Sequence, residues 1–213
     1  MRKLFKIGAG LLALAITGAA SAAAQDKPMS IRIGTEGAYP PFNHVDANNE
    51  LIGFDVDIAK ALCAEMKAEC TFVAQDWDGI IPALLANKYD AIVASMSVTD
   101  ERLAVVDFTE KYYTNSLVFV TAKEGGVADD VTPDGLAGKT LGAQSSTVSA
   151  QFLEDNYRDA TVRLYPTQEE AYRDLASGRL DAVLADFGVT HDWLGSEDGA
   201  CCDFVGEAVL SND

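Results

Sequence analysis

The sequence lacks most of what would commit it to catalysis or to a membrane. Beyond its first two dozen residues it has no apolar run that could cross a bilayer as a helix, which takes about 20 residues. It has two histidines, His44 and His191, and neither stands at a ligand spacing to any of the four cysteines, so no metal site is expected. No acid/base pair or nucleophile constellation stands out, and no cofactor motif does. Positive charge is scarce: 16 Lys and Arg face 33 Asp and Glu, for a formal net charge of −17. That balance argues against nucleic acid and anionic lipid as partners and is permissive for cationic ligands.

What is present begins with a leader. Met1-Arg2-Lys3-Leu4-Phe5-Lys6 is basic, residues 7–20 are apolar with small residues, and Ala22-Ala23-Ala24 precedes Gln25. The pattern reads as a cleaved secretory signal peptide over residues 1–24. No lipid-accepting cysteine lies near the cleavage point, so the mature chain is expected to be soluble and exported to a periplasm. Cleavage removes three basic residues and no acids, taking the net charge to about −20. Four cysteines in an exported chain point to disulfides. A bridge between Cys63 and Cys70 would tie the end of a predicted helix to the start of the next strand. For the adjacent Cys201 and Cys202, a vicinal disulfide, an intermolecular bridge and two free thiols all stay open.

The chain is organised around residues 90–102. Ala91-Ile92-Val93-Ala94 is a short apolar run of the kind buried in a parallel sheet. It opens into Ser95, Ser97 and Thr99, small hydroxyls that suit a loop entering a helix, with Thr99 as the cap and Arg102 on the first turn. Ligands of open α/β sheets sit beyond the carboxyl ends of strands, so hydroxyls and one arginine there form a candidate clamp for a small carboxylate.

This stretch has an echo. A shift of 91 positions lays Lys88-Tyr89-Asp90-Ala91-Ile92-Val93-Ala94 on Arg179-Leu180-Asp181-Ala182-Val183-Leu184-Ala185. Ser95 then corresponds to Asp186, and Leu84 to Leu175. One repeat at so long a period implies two similar α/β lobes, not a solenoid. The remaining pattern agrees: strands at residues 31–35, 70–74, 116–121, 139–144, 161–165 and 181–185 alternate with helical stretches, including one capped by Asp55 and one over residues 168–177. Gly34 and Gly142 hold like places near the ends of each lobe's first strand. Alternating βα units predict, for each lobe, a mostly parallel sheet flanked by helices.

Four motifs carry a resemblance. Gly34-Thr35-Glu36-x-x-Tyr39-x-Pro41-Phe42, Gly53-Phe54-Asp55-Val56-Asp57, Trp77-Asp78-Gly79-Ile80-Ile81-Pro82 and Ser95-x-Ser97-x-Thr99-x-x-Arg102 resemble, in order, the periplasmic polar amino-acid-binding proteins of ATP-driven importers. The branch is the one taking lysine, arginine, ornithine, histidine and opines, solute-binding protein family 3. The resemblance runs from about residue 30 to the end and implies a two-lobed (type II) periplasmic-binding-protein fold with its ligand in the inter-lobe cleft. Lobe 1 would span residues 25–113 and lobe 2 residues 114–213. The Cys63–Cys70 spacing fits a disulfide of that branch.

The resemblance also implies roles. Arg102 would hold the ligand α-carboxylate through a fork of hydrogen bonds, with Ser97 and the Thr147 backbone N–H. Asp186, with Ser95, would take the α-ammonium. Tyr39 and Trp77 would sandwich the side chain, by cation–π contact if it is cationic, and Glu36 would meet its distal charge. Read singly, these residues have plainer uses: Arg102 as a surface partner of Asp100 or Asp107, Tyr39 and Trp77 as core aromatics, Glu36 as a loop acid, Asp186 as a helix cap. Ala94, Ser146 and Val148 depart from the family pattern in the ligand loops. Family members also continue a few dozen residues further and cross back to lobe 1. The expectation here is therefore a first lobe short of its last strand and closing helix, with binding competence open.

The expected activity is a monomeric receptor that binds a free basic amino acid or opine and hands it to an ABC-type membrane permease by hinged closure. Two alternatives from other classes are an exported dehydratase on the same scaffold, with Glu36 as its acid or base, and a non-binding remnant.

Overall fold

The computed structural model describes residues 29–211; the signal-peptide reading of residues 1–24 lies outside them. Strand β1 (Ser30–Thr35) is flanked in parallel by β5 (Glu69–Ala74) and β6 (Ala91–Ile92), giving a three-stranded sheet in the order β5-β1-β6. Between β1 and β5 a small antiparallel sheet, β2 (Ala38–Tyr39), β3 (Asn43–Val45) and β4 (Leu51–Ile52), leads into helix α1 (Phe54–Glu65). A turn of 3-10 helix, Trp77–Gly79, and helix α2 (Ile80–Leu85) connect β5 to β6.

The two faces of this sheet bury different sets, as the two-residue period of a strand requires. Ile33 packs with Ala59 and Cys63 of α1 and with Cys70 and Phe72. The opposite face gathers Trp77, Ile80, Tyr89 and Ala94 with Val73. The Cys63 and Cys70 sulfurs meet, with Cα atoms 6.1 Å apart, and the sulfurs of Cys201 and Cys202 lie side by side. Asp55 does not cap α1: the cap is Gly53, at φ 120, and Asp55 lies fully buried in the first turn.

After the four-residue helix α3 (Asp100–Leu103), strand β7 (Ser116–Ala122) enters a second sheet. It is completed by β8 (Thr140–Gln144), β9 (Thr161–Tyr165), β10 (Ala182–Asp186) and β11 (Cys202–Ser211) in the order β11-β7-β10-β8-β9. The β10–β8–β9 pairs are parallel, and β7 and β11 extend the sheet antiparallel. Helices α4 (Val148–Asn156), α5 (Gln168–Ala176) and α6 (Phe187–Leu194) cover it. Along β10 the residues alternate between cores: Ala182 and Leu184 pack with Leu117, Phe119 and Leu153, while Val183 and Ala185 pack with Val120, Tyr172 and Val189.

The echo in the sequence is an echo in space. Asp90 accepts from the Arg32 N–H at 2.8 Å, and Asp181 accepts from the Thr140 N–H at 2.8 Å. Gly34 lies against the Tyr89 ring, and Gly142 against Leu180, the residue one repeat later. Each lobe thus anchors its last parallel strand to its first with the same aspartate and leaves room for it with the same glycine.

Candidate functional site

The carboxyl ends of the parallel strands in both sheets open on one cleft, the position where open α/β sheets bind ligands. A small cavity lies there, and all eight residues singled out for the cleft line it: Glu36, Tyr39, Trp77, Ser95, Ser97, Arg102, Thr147 and Asp186. Glu36 and Tyr39 follow β1, Trp77 follows β5, Ser95 to Arg102 follow β6, Thr147 follows β8 and Asp186 ends β10.

Arg102 reaches the cavity because Thr99 caps its short helix, accepting from the Arg102 N–H at 3.2 Å. Its guanidinium donates to the Ser97 carbonyl (2.8 Å) and, across the cleft, to the Ser146 carbonyl (3.0 Å), and it lies 5.5 Å from the Trp77 ring centroid. Burial lowers its pKa, opposed by the nearby Glu101 and Asp186 charges, yet an arginine stays cationic in any such setting. Carbonyls orient this cation without neutralising it.

Asp186 stands opposite. It occupies the cap position of α6, but its side chain makes no capping bond; it accepts instead from the Tyr39 hydroxyl at 2.6 Å. Burial raises its pKa, while Tyr39, Asn115 and the Arg102 charge hold it down. Glu36 is buried beneath the same cavity, where burial above all lifts its pKa from its ordinary 4.5 to about 7. Asp76, Asp78 and Glu169 push the same way, and the hydrogen bond from Gln144 opposes them. Trp77 turns its indole N–H to the Ser146 carbonyl (3.0 Å), which leaves its ring to Arg102. Thr147 caps α4, accepting from the Ala150 N–H.

Ala94 and Val148 of the ligand loops also line the cavity, with three residues not anticipated: Gln144, Ser149 and Gln168. Gln144 ends β8, and its Nε2 donates to Glu36 at 2.6 Å. Its place at a strand's carboxyl end was the available signal. Gln168 opens α5 and is almost wholly buried; nothing in its sequence neighbourhood set it apart from an ordinary first-turn residue.

Two lobes closing on a cavity lined by one cation, a buried carboxyl and a half-buried one define a small-molecule receptor. Comparison with known proteins gives the family. Residues 31–163 match the model of the bacterial extracellular solute-binding proteins, family 3. The chain is 45% identical over 209 residues to the L-arginine-binding protein of Pseudomonas aeruginosa, covering 97% of this chain and 78% of that protein. It is 43% identical over 189 residues to the octopine-binding periplasmic protein of Rhizobium meliloti, covering 78% and 64%. Among solved structures, holo ArgBP from T. maritima superposes with a TM-score of 0.79 at 30% identity, over 85% of this chain and 79% of that one. The chain belongs to the bacterial extracellular solute-binding proteins, family 3, and has their α/β, two-lobed fold.

Proposed function

We propose that the protein is an extracytoplasmic receptor for a basic L-amino acid (arginine, lysine, ornithine or histidine) or an opine built on one. It works as a monomer in the periplasm, reached through the leader of residues 1–24, and closes its lobes on the ligand for an ABC-type permease. Lobe 1 is residues 25–113 and lobe 2 residues 114–213, and the Cys63–Cys70 bridge forms on export. The observation that carries the reading is the pair Arg102 and Asp186 on one cavity, a guanidinium without a bonded carboxylate facing a half-buried carboxylate. An amino-acid zwitterion complements both. Between them Tyr39 and Trp77 flank the side chain, Ser95, Ser97 and Thr147 supply hydrogen bonds, and Glu36 offers a cationic tip its counter-charge.

The test is a thermal-shift screen with arginine, lysine, ornithine, histidine, octopine and glutamate, followed by calorimetry. A ligand present at ~100 times its Kd adds about 2.7 kcal/mol of stability, a Tm rise of roughly 5–10 °C for a chain this size. Arg102→Ala is expected to abolish that rise. No shift with any basic ligand, or an undiminished shift in Arg102→Ala, would sink the reading.

A catalytic role has one observation in its favour, the near-neutral Glu36, which is where a general acid works best. The amine-directed Asp186 argues for binding instead. Incubation with prephenate-like substrates separates the two, since product formation would make the protein a dehydratase.

A further inference from the structure

We infer that Asp55, a carboxylate outside the cleft lining, positions Ser95 as an acceptor for the ligand's α-ammonium by holding its hydroxyl proton. The inference rests on the amino-acid-binding role proposed above and adds to it a residue that the cavity does not expose.

Asp55 is fully buried in the first turn of α1. Three neutral donors converge on it: Asn43 Nδ2 at 2.8 Å, the Tyr112 hydroxyl at 2.8 Å, and Ser95 Oγ at 3.0 Å from each carboxylate oxygen. Such a set is complementary to an ionised carboxylate, which can only accept. Burial raises the Asp55 pKa, and the same three side chains oppose the rise.

The consequence falls on Ser95. A serine hydroxyl has one proton to donate and two lone pairs to accept with. Because the proton is committed to Asp55, what Ser95 offers the cavity is lone pairs. That polarity suits an ammonium, which only donates, and repels a carboxylate. Ser95 and Asp186 hold corresponding positions in the two lobes, so each lobe presents an acceptor to the cavity.

Asp55 also fixes where Ser95 stands. Ser95 has φ 50, in the left-handed region that a serine rarely adopts. It is held there by Oγ on Asp55 and by its N–H, which donates to the Tyr112 oxygen at 3.0 Å. Asn43 extends the network, accepting from the Gly37 N–H at 2.7 Å beside Glu36. One carboxylate thus ties the loops that carry Glu36 and Ser95 to the segment entering β7.

The test compares L-arginine with its analogue lacking the α-amine, δ-guanidinovalerate, by calorimetry on wild type, Asp55→Asn, Ser95→Ala and the double variant. An asparagine can donate to Ser95 and so reverse its polarity. Asp55→Asn is expected to weaken L-arginine about tenfold or more and the analogue less than about threefold, with no further loss in the Ser95→Ala background. Equal losses for the two ligands, or an undiminished loss without Ser95, would show a structural role and overturn the inference. If Asp55→Asn does not fold, Tyr112→Phe decides: it removes a donor from Asp55 and the acceptor of the Ser95 N–H. It is expected to show the same discrimination between ligands at smaller size, and equal effects on both would count against us. A wild-type protein that binds no α-amino acid overturns the receptor role and this inference together; wild-type binding with no discrimination in the variants overturns this inference alone.

Discussion

Glu36 shows how a single buried acid couples binding to pH. Its pKa of about 7 against an ordinary 4.5 means that the folded protein holds this proton more tightly than the unfolded chain. The stability belonging to the neutral form is full below about pH 4.5 and is lost as pH rises through about 7. Binding runs the other way. A guanidinium or ammonium on Glu36 favours the carboxylate, so affinity for L-arginine is expected to fall as pH drops below about 7, by up to ~tenfold per pH unit. Glu36→Gln is expected to flatten both the melting-temperature profile of the protein alone over that range and the pH dependence of arginine affinity. A profile unchanged in Glu36→Gln would assign the dependence to Asp186 or another acid. Four motifs that follow apolar runs made six of the eight cleft residues legible, and the repeat made Asp186 legible as the counterpart of Ser95. Asp55 was misread because an acid ahead of an apolar helix also looks like a cap. Only the fold brings Ser95 and Tyr112 to it, from 40 and 57 residues away.

At the scale of elements, strand β9 was read at residues 161–165, the bounds it has. Pro166 closes its far end, since a proline has no N–H with which to continue the ladder. Strand β6 pairs over only Ala91–Ile92, though the apolar run continues to Ala94. Its one paired neighbour in the sheet is β1, so the run outlasts the ladder. Helix α6 and strand β11 gave no clear pattern: α6 has no side-chain cap, and the register of β11 shifts between Val205 and Leu210. The paired glycines allow a sharper test. A Cβ on Gly34 would sit 2.5 Å from the Tyr89 ring, and one on Gly142 would overlap the end of Leu180. A leucine can turn away, whereas Tyr89 is wholly buried and its hydroxyl is bonded to the Ile80 carbonyl. Gly34→Ala is therefore expected to cost about 1–3 kcal/mol, as overpacking does, and Gly142→Ala less. Denaturant midpoints check the order. Adding Tyr89→Leu, which copies the second lobe, is expected to make the Gly34→Ala loss smaller than in the wild-type background; simple additivity would mean the ring is not what the Cβ meets.

For the whole molecule, the closed cleft is a matter of bonds between lobes that protein groups make by themselves. Tyr39 bonds to Asp186, Gln144 to Glu36, and Trp77 and Arg102 both to the Ser146 carbonyl. Most of these groups line the cavity, so removing any of them would change ligand contacts and closure together. Ser145 does not line it: its hydroxyl donates across the cleft to Asp78 at 2.8 Å, near the exposed rim. Its loss leaves the cavity lining intact and removes the bond across the cleft, along with a contact to the Tyr165 carbonyl in its own lobe. A bond of this kind contributes about 0.5–1 kcal/mol, and a receptor whose binding-competent form is less populated binds more weakly by that same fraction. Ser145→Ala is thus expected to weaken L-arginine roughly two- to fivefold, with Asp78→Ala adding little to it because the two act as one pair. Solution scattering should find the variant more open than wild type without ligand and equally compact with it. An equal loss of affinity with no change in the unliganded scattering profile would mean that Ser145 acts on the ligand and not on the hinge.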